Sequence, residues 1–155
     1  MDYIPELENV DTKLYAISIY TVDGEEFNIG DYKHEFAIES CSKVFTLALA
    51  LEKFGEKKLK KEIGELKSKE KFNSIYATHN SVNHTINSFN NGGAMATTCL
   101  LYDPNTSRFN KSLLDNISNF AGRKLHVDEK IYTSEIQNSE HNLKIETQER
   151  IDKDD

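Results

Sequence analysis

Little in this chain suits it to nucleic acid, to a bilayer or to an oxidising compartment. Its 155 residues carry 19 basic against 26 acidic side chains, a formal net charge of −7. An acidic chain has no general attraction for nucleic acid or anionic membrane, so neither is an expected partner. The apolar run at 44–51 is far short of the ~20 residues a membrane-spanning helix needs. The opening Met1-Asp2-Tyr3-Ile4-Pro5 lacks the basic stretch of a secretory leader. The chain has two cysteines, Cys41 and Cys99, each beside an apolar segment. They read as buried free thiols of a reducing, cytoplasmic compartment rather than a disulfide. Five histidines are present, but none has convincing metal-ligand spacing; His79 and His84 stand five apart in a loop. No metal and no cofactor is expected. There is no internal repeat.

What is there is unevenly spread. Hydrophobic residues make up 37% of the chain and gather at 14–51 and 89–121, enough for one domain with its own core. Residues 13–20 are rich in β-branched and aromatic side chains and read as a strand. Val22-Asp23-Gly24 is a hairpin turn signal, 25–29 the returning strand, and Gly30-Asp31 a second turn. Residues 34–38 read as a short extended approach to Ser40. The nearly continuous apolar run predicts a helix over 42–54, stopped by Gly55 and buried on most sides. A short charged helix over 56–63 ends at Gly64, with Lys57, Lys58, Lys60 and Lys61 on a solvated face between Glu56 and Glu62. Residues 65–88 read as a long loop. Another apolar segment, 95–102, is broken by Asp103-Pro104-Asn105. Phe109, Leu113, Leu114, Ile117 and Phe120 share one helical face, and Gly122 ends that helix. The charged tail 144–155 has no apolar stripe. The expected organisation is one domain over 1–143 followed by that tail.

The candidate chemistry lies at Ser40-Cys41-Ser42-Lys43. A serine and a lysine three apart at a helix start share one face, about one turn apart. The helix N-terminus adds a positive field that opposes a proton on the lysine, and a neutral lysine can take the serine proton. The spacing by itself favours a helix cap and a surface lysine over a nucleophile. A second match, Ser68-Lys69-Glu70-Lys71, has no apolar helix behind it and reads as a solvated loop.

The chain resembles the serine-dependent glutaminases, a family that shares its fold with the serine β-lactamases and penicillin-binding proteins. The matching segments, in order, are Asp2-Tyr3-Ile4-Pro5-Glu6-Leu7, Thr21-Val22-Asp23-Gly24, residues 36–43, Phe72-Asn73-Ser74, the loop motif Asn91-Gly92-Gly93-Ala94, and Ser134-Glu135 with Asn142 seven residues after the glutamate. The resemblance implies an α+β fold: part of a serine β-lactamase-like architecture, with an N-terminal β-hairpin and a helical region. It also implies hydrolysis of L-glutamine to L-glutamate and ammonia. By position, Ser40 is the nucleophile and Lys43 its activating partner, while Tyr3, Asn91, Glu135 and Asn142 contact the substrate. Glu135 suits the α-ammonium of glutamine, and the asparagine amides can donate or accept.

The departures set up an alternative. Glu39 stands where the family usually has glutamine, and Ser88 and Asn90 replace a proline and an apolar residue. Full-length members continue well beyond Asn142, into catalytic tyrosines, a Lys-Ser-Gly segment and further strands of the sheet. A truncated, inactive homologue is therefore the second reading. A different Ser-x-x-Lys acyltransferase is a third, opposed by Glu135 and Asn142. Exposed strand edges in an incomplete sheet predict association, a homo-oligomer.

Overall fold

Gly30 shows how this sequence builds its hairpin. In the computed structural model it closes the sheet with φ of +73°, and a Cβ there would lie 2.1 Å from the Tyr15 carbonyl oxygen, so only glycine fits. The structure describes residues 4–69, 71–74 and 85–138, and the chain divides into two units, 1–36 with 127–155 and 37–126.

In the first unit, β1 (Ala16–Tyr20) pairs antiparallel with β2 (Glu26–Gly30). The register Ile17↔Ile29 and Ile19↔Phe27 puts those four side chains on one face. Ser18↔Asn28 and Tyr20↔Glu26 lie on the other. The expected turn at Val22-Asp23-Gly24 is present. Thr21 and Glu25 close it, with Thr21 N–H donating to the Glu25 carbonyl at 2.9 Å and Glu25 N–H to Thr21 Oγ1 at 3.0 Å. The first strand is shorter than the expected 13–20. Residues 13–15 are instead held by side-chain and turn bonds: Lys13 N–H on Asp11 Oδ1 at 2.9 Å and Tyr15 N–H on Asp31 Oδ2 at 3.1 Å. A 3₁₀ turn, Pro5–Asn9, follows the buried Ile4. Residues 129–138 are helical, capped by Asp128 Oδ1, which accepts from Lys130 and Ile131 N–H at 2.9 and 3.1 Å. Glu6 N–H reaches Ser134 Oγ at 3.3 Å and ties the 3₁₀ turn to that helix.

The second unit is helical: α1 (Ser42–Phe54), α2 (Glu56–Glu62), α3 (Asn91–Leu101) and α4 (Thr106–Ala121). Gly55 and Gly122 stop α1 and α4 where the sequence places them. Its core is Ala50, Leu59, Ile63 and Leu101, with Leu47, Leu49, Phe54, Ala96, Leu100, Phe109 and Leu113 packed around it. On α3 the inward positions are Gly93, Thr97 and Leu101, one turn apart each. A Cβ on Gly93 would sit 1.8 Å from the Asn87 carbonyl oxygen, so the start of α3 lies directly on the loop before it. Thr97 Oγ1, 1% exposed as a residue, donates to the Gly93 carbonyl or Ser88 Oγ, at 2.8 and 3.2 Å. Asn91-Gly92-Gly93-Ala94 is therefore the first turn of a helix and not the loop that its glycines suggest. Gly93 serves close approach, not a bend. The α4 stripe is as expected, with the Phe120 ring 5.4 Å from Phe45 of α1.

Three burial expectations fail. Helix α1 is covered less than expected: Ala50 alone is fully buried, and Val44 and Leu51, seven apart on one stripe, are 54% and 41% exposed. Both thiols are unpaired, but Cys41 and Cys99 are exposed. Cys99 sits two residues from Thr97 and Leu101, which turns it to the opposite face of α3. Cys41 lies in the turn ahead of α1. The charged α2 is solvated as read, with Lys60 bridging Glu56 at 2.8 Å and Glu65 at 3.0 Å. In the region expected to be a long loop, residues 65–69, 71–74 and 85–88 are irregular and hold no regular helix or strand. The rest of that region, with the 144–155 tail, lies outside the described residues. Among the described residues, no helix is long and apolar enough to cross a membrane.

Candidate active site

Ser40 lies in the tight turn Glu39–Cys41 that leads into α1. Residues 34–38 do not approach it in extended form throughout, since Ile38 is already right-handed at φ −66°, ψ −26°. Glu39 then takes φ of +47°, alone among the described non-glycine residues in having positive φ. That conformation costs a β-carbon-bearing residue about 1–2 kcal/mol. The turn is braced by Ser42 Oγ donating to the Glu39 carbonyl at 2.7 Å and by Cys41 N–H donating to the Ile38 carbonyl at 3.1 Å. The change of hand from Ile38 to Glu39 leaves Ser40 exposed ahead of the first helical residue.

Lys43 is one turn on, partly buried. Its ammonium donates to Asn91 Oδ1 at 2.6 Å and to the Phe89 carbonyl at 3.2 Å. The Phe72 ring centroid stands 5.5 Å from Nζ. Burial pushes the Lys43 ammonium below its ordinary value, toward the neutral amine. Asn91, the first residue of α3, donates its own N–H to the Phe72 carbonyl at 2.8 Å.

A second asparagine organises the acceptors. Asn87 Oδ1 takes N–H bonds from Phe89 at 2.9 Å and Asn90 at 3.1 Å, while its Nδ2 donates to the Leu66 carbonyl at 2.8 Å. These bonds shape the backbone that presents the Phe89 carbonyl. Sequence reasoning passed over Asn87, Phe89 and Phe72 as site residues. Asn87 carries a usable signal, a turn-forming asparagine four residues before a helix start. A backbone carbonyl such as that of Phe89 carries none, because every residue has one.

Of the residues singled out from sequence, the structure brings Lys43 and Asn91 into contact, next to the turn bearing Ser40. Glu135 is exposed on the 129–138 helix of the first unit. Tyr3 and Asn142 lie outside the described residues. The second Ser-x-x-Lys match has Ser68 and Lys69 in irregular backbone. Among the described residues, no group of three or more His, Cys, Asp or Glu side chains could hold a metal.

Known proteins are similar to this chain over most of its length. The Glutaminase family model matches residues 1–150. Glutaminase 1 of Bradyrhizobium diazoefficiens is 42% identical over 144 residues, which is 93% of this chain and 23% of that protein. The glutaminase of Mycobacterium ulcerans is 38% identical over 93% of this chain and 45% of its own length. Among solved structures, the probable glutaminase ybaS superposes with a TM-score of 0.86 at 36% identity, over 92% of this chain and 46% of that one. Mglu in its glutamate form gives 0.80 at 33% identity, over 93% and 33%. The chain thus spans less than half the length of these relatives. Its fold class is the expected α+β, matching part of the β-lactamase-like fold of those structures. With the family model covering nearly its whole length, the chain belongs to the glutaminase family.

Proposed function

We propose that this chain carries the nucleophile of a glutaminase, hydrolysing L-glutamine to L-glutamate and ammonia. The observation that carries the reading is the shielded ammonium of Lys43 one turn from an exposed Ser40, in a chain of this family. Ser40 Oγ attacks the side-chain amide carbon as its proton passes to neutral Lys43. Lys43 then gives that proton to the departing nitrogen, and ammonia leaves a glutamyl ester on Ser40. Water hydrolyses the ester, with Lys43 taking one of its protons and returning it to Ser40. Backbone N–H groups at the head of α1 favour the oxyanion. Glu135 pairs the α-ammonium, and Tyr3, Asn91 and Asn142 complete the substrate contacts, with no cofactor required. Asn91 then has two tasks, since its Oδ1 already holds Lys43. The exposed thiols suit a reducing, cytoplasmic setting, and the bare apolar face of the hairpin suits a homo-oligomer.

The direct test is mass spectrometry of the acid-quenched chain after mixing with glutamine. A glutamyl ester on Ser40, absent in Ser40→Ala, is expected; no ester at any time point overturns the reading. The pH dependence has a definite sign. Neutral Lys43 is the active form and its pKa is lowered, so ester formation rises with pH through a midpoint below the ordinary lysine range. A rate that falls with pH across that window contradicts the role of Lys43.

One observation favours a second reading, a family member without turnover: the acceptors found for the Lys43 ammonium are Asn91 and Phe89, which hold it in its charged form. A folded chain that releases no ammonia and forms no ester would establish that reading.

A further inference from the structure

Phe72 meets the Lys43 pair twice, by different parts of the residue. Its ring covers Lys43 Nζ at 5.5 Å, and its carbonyl accepts the N–H of Asn91, whose side-chain oxygen holds the same ammonium at 2.6 Å. Phe72 is nonetheless 61% exposed as a residue, so it contributes little to the core. An exposed aromatic side chain laid against a cation that is itself only partly exposed keeps water from one side of the ammonium. We propose that Phe72 is a positioning residue for Lys43, its ring excluding water from the amine while its backbone fixes the asparagine that orients it. The proposal rests on Lys43 as the base of the reading above, and it adds to that base the segment that controls it.

Two effects of the ring oppose each other. Attraction between the cation and the ring face favours the ammonium, by about 0.5–1 kcal/mol at exposed sites. Exclusion of water favours the neutral amine. The proposal commits to the second as the larger. Other charges on the segments that meet Lys43 are Glu39, at the head of α1, and Lys71, beside Phe72. Both stay constant across the variants below.

The experiment is competitive trace acetylation of the full chain across pH, with Lys43 reactivity read by peptide mass spectrometry against exposed Lys57. It needs no turnover. In Phe72→Ala, the Lys43 titration is expected to move up by about half a unit, on the order of a threefold loss of neutral amine at a fixed pH below the midpoint. Phe72→Leu, which keeps an apolar cover, is expected to titrate with the wild type. Phe72→Ser serves as a second open variant, judged as Phe72→Ala, should the alanine variant fail to melt cooperatively. A Lys43 titration that stays put or moves down in the open variant overturns the proposal. Where the chain turns over glutamine, kcat/KM of the open variant is expected to fall roughly threefold at low pH and to converge on wild type at high pH. An upward shift of the Lys43 titration without any ammonia release would sink the glutaminase reading and leave the role of Phe72 intact.

Discussion

The hairpin Ala16–Gly30 and the helical unit 37–126 are specified in different ways. In the hairpin, Ile17, Ile19, Phe27 and Ile29 line one face, yet all four are exposed. What holds it is turn chemistry and pairing: Thr21 with Glu25 at one end, Tyr15 with Asp31 at the other, and Gly30 between. In the helical unit, Ala50, Leu59, Ile63 and Leu101 are buried, with side chains of α1, α3 and α4 packed around them. A two-stranded hairpin alone is marginal in water, whereas buried side chains hold their place by area removed from solvent. Turn residues alone can therefore make a local shape legible without any stability behind it, whereas among the described residues the buried cluster lies in the second unit, which also holds Lys43.

Substitutions of matched kind test this contrast. Gly93→Ala drives a Cβ into the Asn87 carbonyl under the start of α3, and a loss on the order of 3 kcal/mol is expected in denaturant titration. Gly30→Ala also clashes, with the Tyr15 carbonyl, but a loss of only about 1–2 kcal/mol is expected because little is buried there. Equal losses would break the contrast. Next in size, Leu59→Ala is expected to cost about 2–4 kcal/mol, and Ile19→Ala less than about 1 kcal/mol, by thermal melts. Smallest is Lys60→Ala. Its partners Glu56 and Glu65 are exposed with it, so a melting temperature indistinguishable from wild type, in low salt and in high, is expected.

The elements were largely legible. The Asp23-Gly24 turn, the stops at Gly55 and Gly122, and the Phe109-to-Phe120 stripe depend on local rules that a sequence displays. Burial was less so. The unbroken apolar run 44–51 says that α1 has apolar sides but not which neighbours cover them, and Val44 and Leu51 are bare. In the site, Ser40 and Lys43 were legible by spacing and by family. The union of Lys43 with Asn91 was not, because 48 residues separate them and the fold alone brings them together. The left-handed backbone of Glu39 gave no warning either, since glutamate has no preference for it.

The measurement that bears most directly on the central claim is glutamine-dependent ammonia release by the folded chain, with Ser40→Ala beside it. The account predicts release that is lost in Ser40→Ala while the melting curve stays as in the wild type. Release that persists in Ser40→Ala, or its absence from both folded proteins, would contradict it.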